Sequence, residues 1–192
     1  GLLMMTVIQN AFANTSSSIM ISKVQGNIVD TLMPPLSAGE LVTGYLIGGI
    51  ARGVLVAVAI ALAFWLVIGL VPAHPLTALA FVVLGAAFMA ALGMLAAIHA
   101  TKFDQMAAIT NFVVTPLAFL SGTFYSAQAL PPGLYEVTHL NPVFYLIDGG
   151  RWGLIGVSDS PPVLGFAIAL AATALVVAYA WYLLRTGTRL KP

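Results

Sequence analysis

Apolar residues run in long blocks along this chain, separated by short polar breaks. Four blocks, roughly 41–71, 76–98, 106–125 and 162–184, each hold the ~20 residues that a helix needs to cross the hydrocarbon of a bilayer. A fifth, roughly 2–20, is apolar but carries Gln9, Asn10, Asn14 and Ser16-Ser17-Ser18. That polarity suits a helix packed against other helices, where small and hydroxyl residues let backbones approach. Between the 2–20 and 41–71 blocks, Ile21, Val24, Ile28 and Leu32 recur at spacings of three and four. This makes one face of a short amphipathic helix over 21–36, with Lys23 and Asp30 on the remainder and Pro34-Pro35 ending it. The pattern predicts an all-α polytopic membrane helix bundle of about five spans, forming one transmembrane domain over 1–192.

Residues 118–156 break this rhythm. They are too apolar for an aqueous loop. Pro131-Pro132 and Asn141-Pro142 interrupt them too often for a span, because backbone groups left free in hydrocarbon have no partners. A re-entrant or interfacial helical hairpin over 126–160 is the remaining arrangement. Within it Leu134, Val137 and Leu140 share one face, Asn141 is placed to cap a helix, and Asp148 and Arg151 are spaced to pair.

Local signals mark other edges. Ser37-Ala38-Gly39-Glu40 fits a capping box, with Leu36 and Leu41 as its staple. Ser160-Pro161 fits an N-cap followed by a first-turn proline, and Asp104 is a candidate cap for the fourth span. Pro116 removes a helix hydrogen bond and is expected to kink that span, freeing the carbonyl of Phe112. Phe119, Phe124 and Tyr125 beyond it read as packing residues or as an outer gate. Tyr179, Trp181 and Tyr182 read as an interfacial aromatic belt.

Composition then names the solvent. The chain is 60% hydrophobic and only 7% charged, against ~25% in a soluble domain, so lipid must face most of its surface. Lys23, Lys102, Arg185, Arg189 and Lys191 fall on one side of the predicted topology and Arg151 on the other, which places the C-terminus in the cytoplasm. Arg52 is the one charge within a span. It is either a structural cation or one lining a path for an anionic group. Gly44–Gly48 and Gly49–Gly53 are two small-xxx-small patterns, for intramolecular packing or for dimerisation.

Several chemistries are excluded. No cysteine is present, so thiolate metal sites and disulfides are absent, and a net charge of +1 gives no nucleic-acid footprint. No G-x-x-x-x-G-K-[ST] motif occurs, so this chain does not hold ATP phosphates in the P-loop manner. His74, His99 and His139 fall on opposite sides of the predicted membrane, and no catalytic or metal-binding constellation emerges. A passive channel or a membrane scaffold remain the alternatives to a transporter.

The order of elements, with Leu120-Ser121-Gly122, Phe124-Tyr125, Leu130-Pro131, Leu140-Asn141-Pro142 and Arg151, resembles the ABC-2 transporter permeases, the membrane subunits of ATP-driven exporters. The frequent Phe-Pro pair of that family is replaced here by Phe124-Tyr125-Ser126. The resemblance implies a bacterial inner-membrane protein that moves a lipid-linked, saccharide-like or drug-like molecule. It also implies a partner ATPase in two copies that binds the ATP and magnesium, and a second permease subunit beside this one in the membrane lipids. It makes 21–36 a coupling helix, with Lys23, Val24, Ile28, Asp30 and Leu32 at the ATPase, and Thr101–Gln105 a second contact point. The opening Gly1-Leu2-Leu3-Met4-Met5 then reads as an internal helix, with a sixth span ahead of it in the complete protein.

Overall fold

The computed structural model describes residues 1–26, 37–126, 128 and 130–186. Every regular element among them is helical: α1 (Leu2–Val24), α2 (Ala38–Ile68), α3 (Pro75–His99), α4 (Phe103–Ile109), a π-helical turn (Thr110–Val114), α5 (Thr115–Phe119), α6 (Pro132–Leu140), α7 (Pro142–Ile155) and α8 (Pro162–Thr186). Among these α2, α3 and α8 are long and apolar enough to cross a membrane. The polar side chains of α1 keep it out of that class, and the segment expected to span over 106–125 is broken into α4, the π turn and α5.

α3 is the central post. It packs against α1, α2, α7 and α8, and its Phe81, Ala86, Met89, Ala90 and Met94 are buried. Lipid chains are as apolar as leucine, so no hydrophobic drive holds spans together and close backbone approach must do it. Small residues provide that approach. A Cβ on Gly93 would sit 2.6 Å from the Phe12 carbonyl oxygen, and one on Gly49 or Gly53 would sit 2.5 Å or 2.7 Å from Ala90 or Ala86. The Gly49–Gly53 pair therefore packs within the molecule. Gly44 faces open space, with nothing within 4 Å of its added Cβ.

Helix ends gather at two levels. At one, the N–H groups of Ala73 and His74 donate to Leu154 and Gly153 of α7 at 3.1 Å and 2.8 Å, and His74 stacks on Trp152. At the other, Lys23 meets the end of α3, and Gly39 lies beside the Trp181 indole. α1, α2, α3, the broken rod and α8 alternate in direction between these levels.

Ser37 caps α2 as expected: Glu40 N–H donates to its hydroxyl at 3.3 Å, and the Glu40 carboxylate accepts from Ser37 N–H at 2.7 Å. Leu36, the staple partner, lies outside the described residues. Three other starts differ. α8 begins at Pro162, and Pro161 carbonyl accepts its first bond, so the cap lies one residue later than Ser160. At α4 the Gln105 side chain, not Asp104, reaches back, accepting from Thr101 N–H at 2.8 Å. No separate helix begins at 21, because α1 runs on to Val24 and carries Lys23 with it.

The two limbs of the 126–160 segment are unlike. α6 is mostly exposed, with Leu134, Val137 and Leu140 turned outward. α7 is packed into the bundle against α3 and α8, with Val143, Phe144, Leu146 and Ile147 buried.

Candidate functional site

A polar face midway along an apolar helix, turned away from the bundle, is the feature least explained by packing. α1 buries Leu3, Met4, Val7, Ile8, Ala11 and Phe12 against its neighbours. Its other side carries Thr6, Gln9, Asn10, Asn14, Ser17 and Ser18, at helical spacing and only partly covered or exposed. The hydroxyls bond back to their own helix, Thr6 to the Leu2 carbonyl at 2.9 Å and Ser18 to that of Asn14 at 2.8 Å. Asn10 donates Nδ2 to the Thr6 carbonyl at 3.0 Å, and its Oδ1 accepts from Arg52 Nη2 at 3.4 Å. Arg52 stands near the midpoint of α2 and is exposed. The polar residues of α1 and Arg52, some forty residues apart in the chain, come together in the structure.

The rod of α4, π turn and α5 stands off from this face. Its backbone approaches to the rest of the bundle are few and lie at its two ends, with α3 and α7. In the cleft, Gln9, Asn10, Thr110 and Thr115 line a cavity of about 280 Å³. Across Phe12 and Val114 it adjoins an apolar groove of about 320 Å³, lined also by Leu92, Leu95, Ile109 and Leu117. The π turn explains how the rod accommodates Pro116. Proline has no N–H to give, so the ladder widens one turn before it, where Thr115 N–H and hydroxyl both bond the Thr110 carbonyl. Phe119 and Phe124 stack at 5.2 Å beyond it.

At the end of the bundle near Gly122, a buried network ties four elements. Asn141 caps α7, its Oδ1 accepting from Val143 N–H at 3.0 Å. Its Nδ2 donates to Leu117 carbonyl at 3.1 Å and Ser121 hydroxyl at 2.7 Å, closing the end of α5. Asp148 accepts from Asp159 N–H, Ser160 N–H and Ser160 hydroxyl at 2.9, 3.0 and 2.8 Å, holding the approach to α8. Arg151 lies 3.8 Å from Asp148, but its closer acid is Asp159 at 3.2 Å. It also donates to the Gly122 carbonyl, in a turn where Gly122 has φ +72°, and to that of Tyr125 at 3.5 Å. Asp159 accepts from Ser126 too, at 2.6 Å. Asp159 was not singled out from sequence; its only local signal is an acid set just before the last apolar block. Nearby, burial pushes the Tyr145 hydroxyl up from its ordinary pKa, with a smaller push from Tyr135, so it stays a donor to the His139 carbonyl at 3.0 Å.

The expected coupling residues divide. Ile28, Asp30 and Leu32 lie outside the described residues. Val24 is exposed. Lys23 is half-buried, and its Nζ donates to the carbonyls of Ala97, Ile98 and Ala100 at 2.7, 2.8 and 3.2 Å. The last carbonyls of a helix lack intrahelical donors and carry partial negative charge, which is why a cation settles there. His99 lies at that end and bonds the Leu95 carbonyl, whereas His74 lies at the opposite one.

Long apolar helices around a central post, a polar face at mid-depth and a buried polar clasp at one end define an integral-membrane helix bundle. Residues 1–155 match the model of the ABC-2 type transporter family. The chain is 36% identical over its full length to the inner membrane transport permease YadH of Escherichia coli K12, covering 75% of that protein, and equally to YadH of Shigella flexneri. It is 30% identical over 155 residues to nodulation protein J of Neorhizobium galegae, a match that covers 76% of this chain and 54% of that protein. The chain belongs to the ABC-2 type transporter family, whose members are transport permeases.

Proposed function

We propose that this protein is the membrane-spanning permease subunit of an ATP-driven exporter in a bacterial inner membrane. The observation that carries the reading is the polar face of α1, set at mid-depth beside Arg52 in a chain of this family. Polar groups are costly in lipid, so that face borders water, a second permease subunit, or both. With a second copy opposite, the α1 faces and the clefts beside them line the path for a lipid-linked, saccharide-like or drug-like substrate. A P-loop ATPase, in two copies, supplies the energy.

On this reading five segments cross the membrane: α1, α2, α3, the broken rod and α8. Lys23, Lys102 and Arg185 share one level, which is then cytoplasmic, together with the C-terminus. Arg151 and the 126–160 hairpin are extracytoplasmic. The 21–36 segment docks the ATPase through Ile28, Asp30 and Leu32, by helix-in-groove recognition. Pro116 with its π turn lets the rod flex, and the Phe119–Phe124 stack with Tyr125 closes its outer end.

These 192 residues hold no cysteine, so introduced thiols report their own positions. The variants Ala13→Cys and Ser17→Cys, on the polar face, react with a membrane-impermeant thiol reagent. Leu170→Cys and Leu175→Cys, at exposed positions of α8 that this reading turns to lipid, do not. Equal labelling in all four variants, or none in Ala13→Cys and Ser17→Cys, overturns the placement of the path.

A further inference from the structure

The apolar groove of about 320 Å³ lies between two helical walls. One is formed by Leu92, Leu95, Ala96 and His99 of α3, the other by Ile109, Val113 and Leu117 of the rod. Phe12 and Val114, both buried, are its floor, and Val113 and Tyr179 are exposed at its rim. From Leu92 to His99 is about 10 Å of helix, and from Ile109 to Leu117 about 12 Å. One leaflet of a bilayer has about 15 Å of hydrocarbon, half of a ~30 Å core. The groove therefore runs along most of the depth of one leaflet, from the middle of the bundle to the level of His99. Its length and apolar walls suit an extended acyl chain. The backbone of the rod meets α3 and α7 only at its two ends, so a chain seated here fills the space between them.

The end of the groove at His99 suits an anion. Lys102 follows three residues on, at the start of α4. Met106, Ile109 and Val113 continue from it at helical spacing, along the face of the rod that forms the groove wall. α3 ends at the same place, and the bare carbonyls of a helix end would repel a phosphate. Lys23 removes that obstacle, because its Nζ holds the carbonyls of Ala97, Ile98 and Ala100. Two described acids of this level are turned elsewhere. Glu40 closes the cap of α2 with Ser37, and Asp104 shares the opposite, exposed face of α4 with Ala107 and Ala108. His99 bonds the Leu95 carbonyl through Nδ1 at 2.8 Å. A carbonyl only accepts, so the proton is on Nδ1, and Nε2 of the neutral ring is left to accept from a headgroup hydroxyl.

We propose that the groove between α3 and the rod seats one acyl chain of an anionic phospholipid, with its phosphate at Lys102 and its headgroup beside His99. The lipid belongs to the leaflet on the Lys102 side. Phe12 and Val114 separate it from the polar cavity of α1. The proposal rests on the rod crossing the membrane, and not on where substrate passes.

The test is native mass spectrometry of the full-length permease in maltoside, titrated with dioleoyl phosphatidylglycerol or dioleoyl phosphatidylcholine. These lipids share their chains and differ in headgroup charge. One phosphatidylglycerol per chain binds about tenfold more tightly than phosphatidylcholine, as one charge-assisted contact provides. Lys102→Gln removes the preference. Val113→Trp, which fills the groove from its exposed rim, removes this site for both lipids. Equal affinity of the two lipids, or a preference that survives Lys102→Gln, overturns the anionic headgroup. Undiminished binding in Val113→Trp overturns the groove as the seat. A Val113→Cys variant that oxidises in native membranes to a disulfide-linked pair of permease chains overturns the lipid in favour of a second copy. Should Val113→Trp not fold, Ile109→Phe on the same wall decides by the same outcomes.

Discussion

Arg151→Met tests the clasp, because it keeps most of the apolar stem and removes only the charge and its donors. The Asp159 carboxylate, 6% exposed, loses its closest cation, and the Gly122 carbonyl loses its donor. Breaking a buried ion pair from one side costs about 3–5 kcal/mol. Arg151 keeps 14% side-chain exposure, and Asp159 keeps Ser126, so the lower figure of about 3 kcal/mol applies. The spacing of Asp148 and Arg151 in sequence invites a pairing, but geometry makes this the weaker contact. At 3.8 Å it is beyond a hydrogen bond, and the Asp148 oxygens are taken by the approach to α8. Double-mutant cycles separate the two. With Asp159→Asn and Asp148→Asn as partner changes, coupling is about 2 kcal/mol for Arg151–Asp159 and about 1 or less for Arg151–Asp148. The assay is reversible denaturant unfolding of the purified permease in detergent, followed by tryptophan fluorescence. Equal or larger coupling to Asp148, or an Arg151→Met variant as stable as the wild type, refutes this account of the clasp.

Lys23→Met removes the donor shared by three α3 carbonyls and is expected to lower stability by about 1–3 kcal/mol in the same unfolding assay. ATPase stimulation per folded molecule stays unchanged; the opposite pattern would return Lys23 to the ATPase surface. Gly93→Ala forces α1 and α3 apart at the Phe12 carbonyl and costs about 1–3 kcal/mol, read as a lower midpoint. Gly44→Ala meets open space and gains up to about 1 kcal/mol from helix propensity, unless a partner subunit packs there.

What the sequence disclosed was local. The Ser37–Glu40 box is visible because its partners are three residues apart, and the capping half of Asn141 is visible for the same reason. Its other half, the bonds from Nδ2 to Leu117 and Ser121, joins elements that only the fold brings together. Asp159 escaped for that reason, and so did the bonds from Lys23 to the end of α3, more than seventy residues along the chain. Pro116 predicts a kink; the π turn over Thr110–Val114 is a second response to a missing N–H that sequence does not distinguish from it. The polarity of α1 was plain in sequence. Its direction, away from the bundle and beside Arg52, required knowing which face the small residues of α3 receive.

On the function proposed above, this chain is moved by an ATPase that it does not contain. Purifying the full-length permease in mild detergent from its native host, and assaying what comes with it, puts that statement at risk. The expected result is a stoichiometric P-loop ATPase whose activity responds to the permease, lost in Ile28→Asp while the permease itself remains folded. A well-folded permease that brings no ATPase under several solubilisation conditions would contradict it.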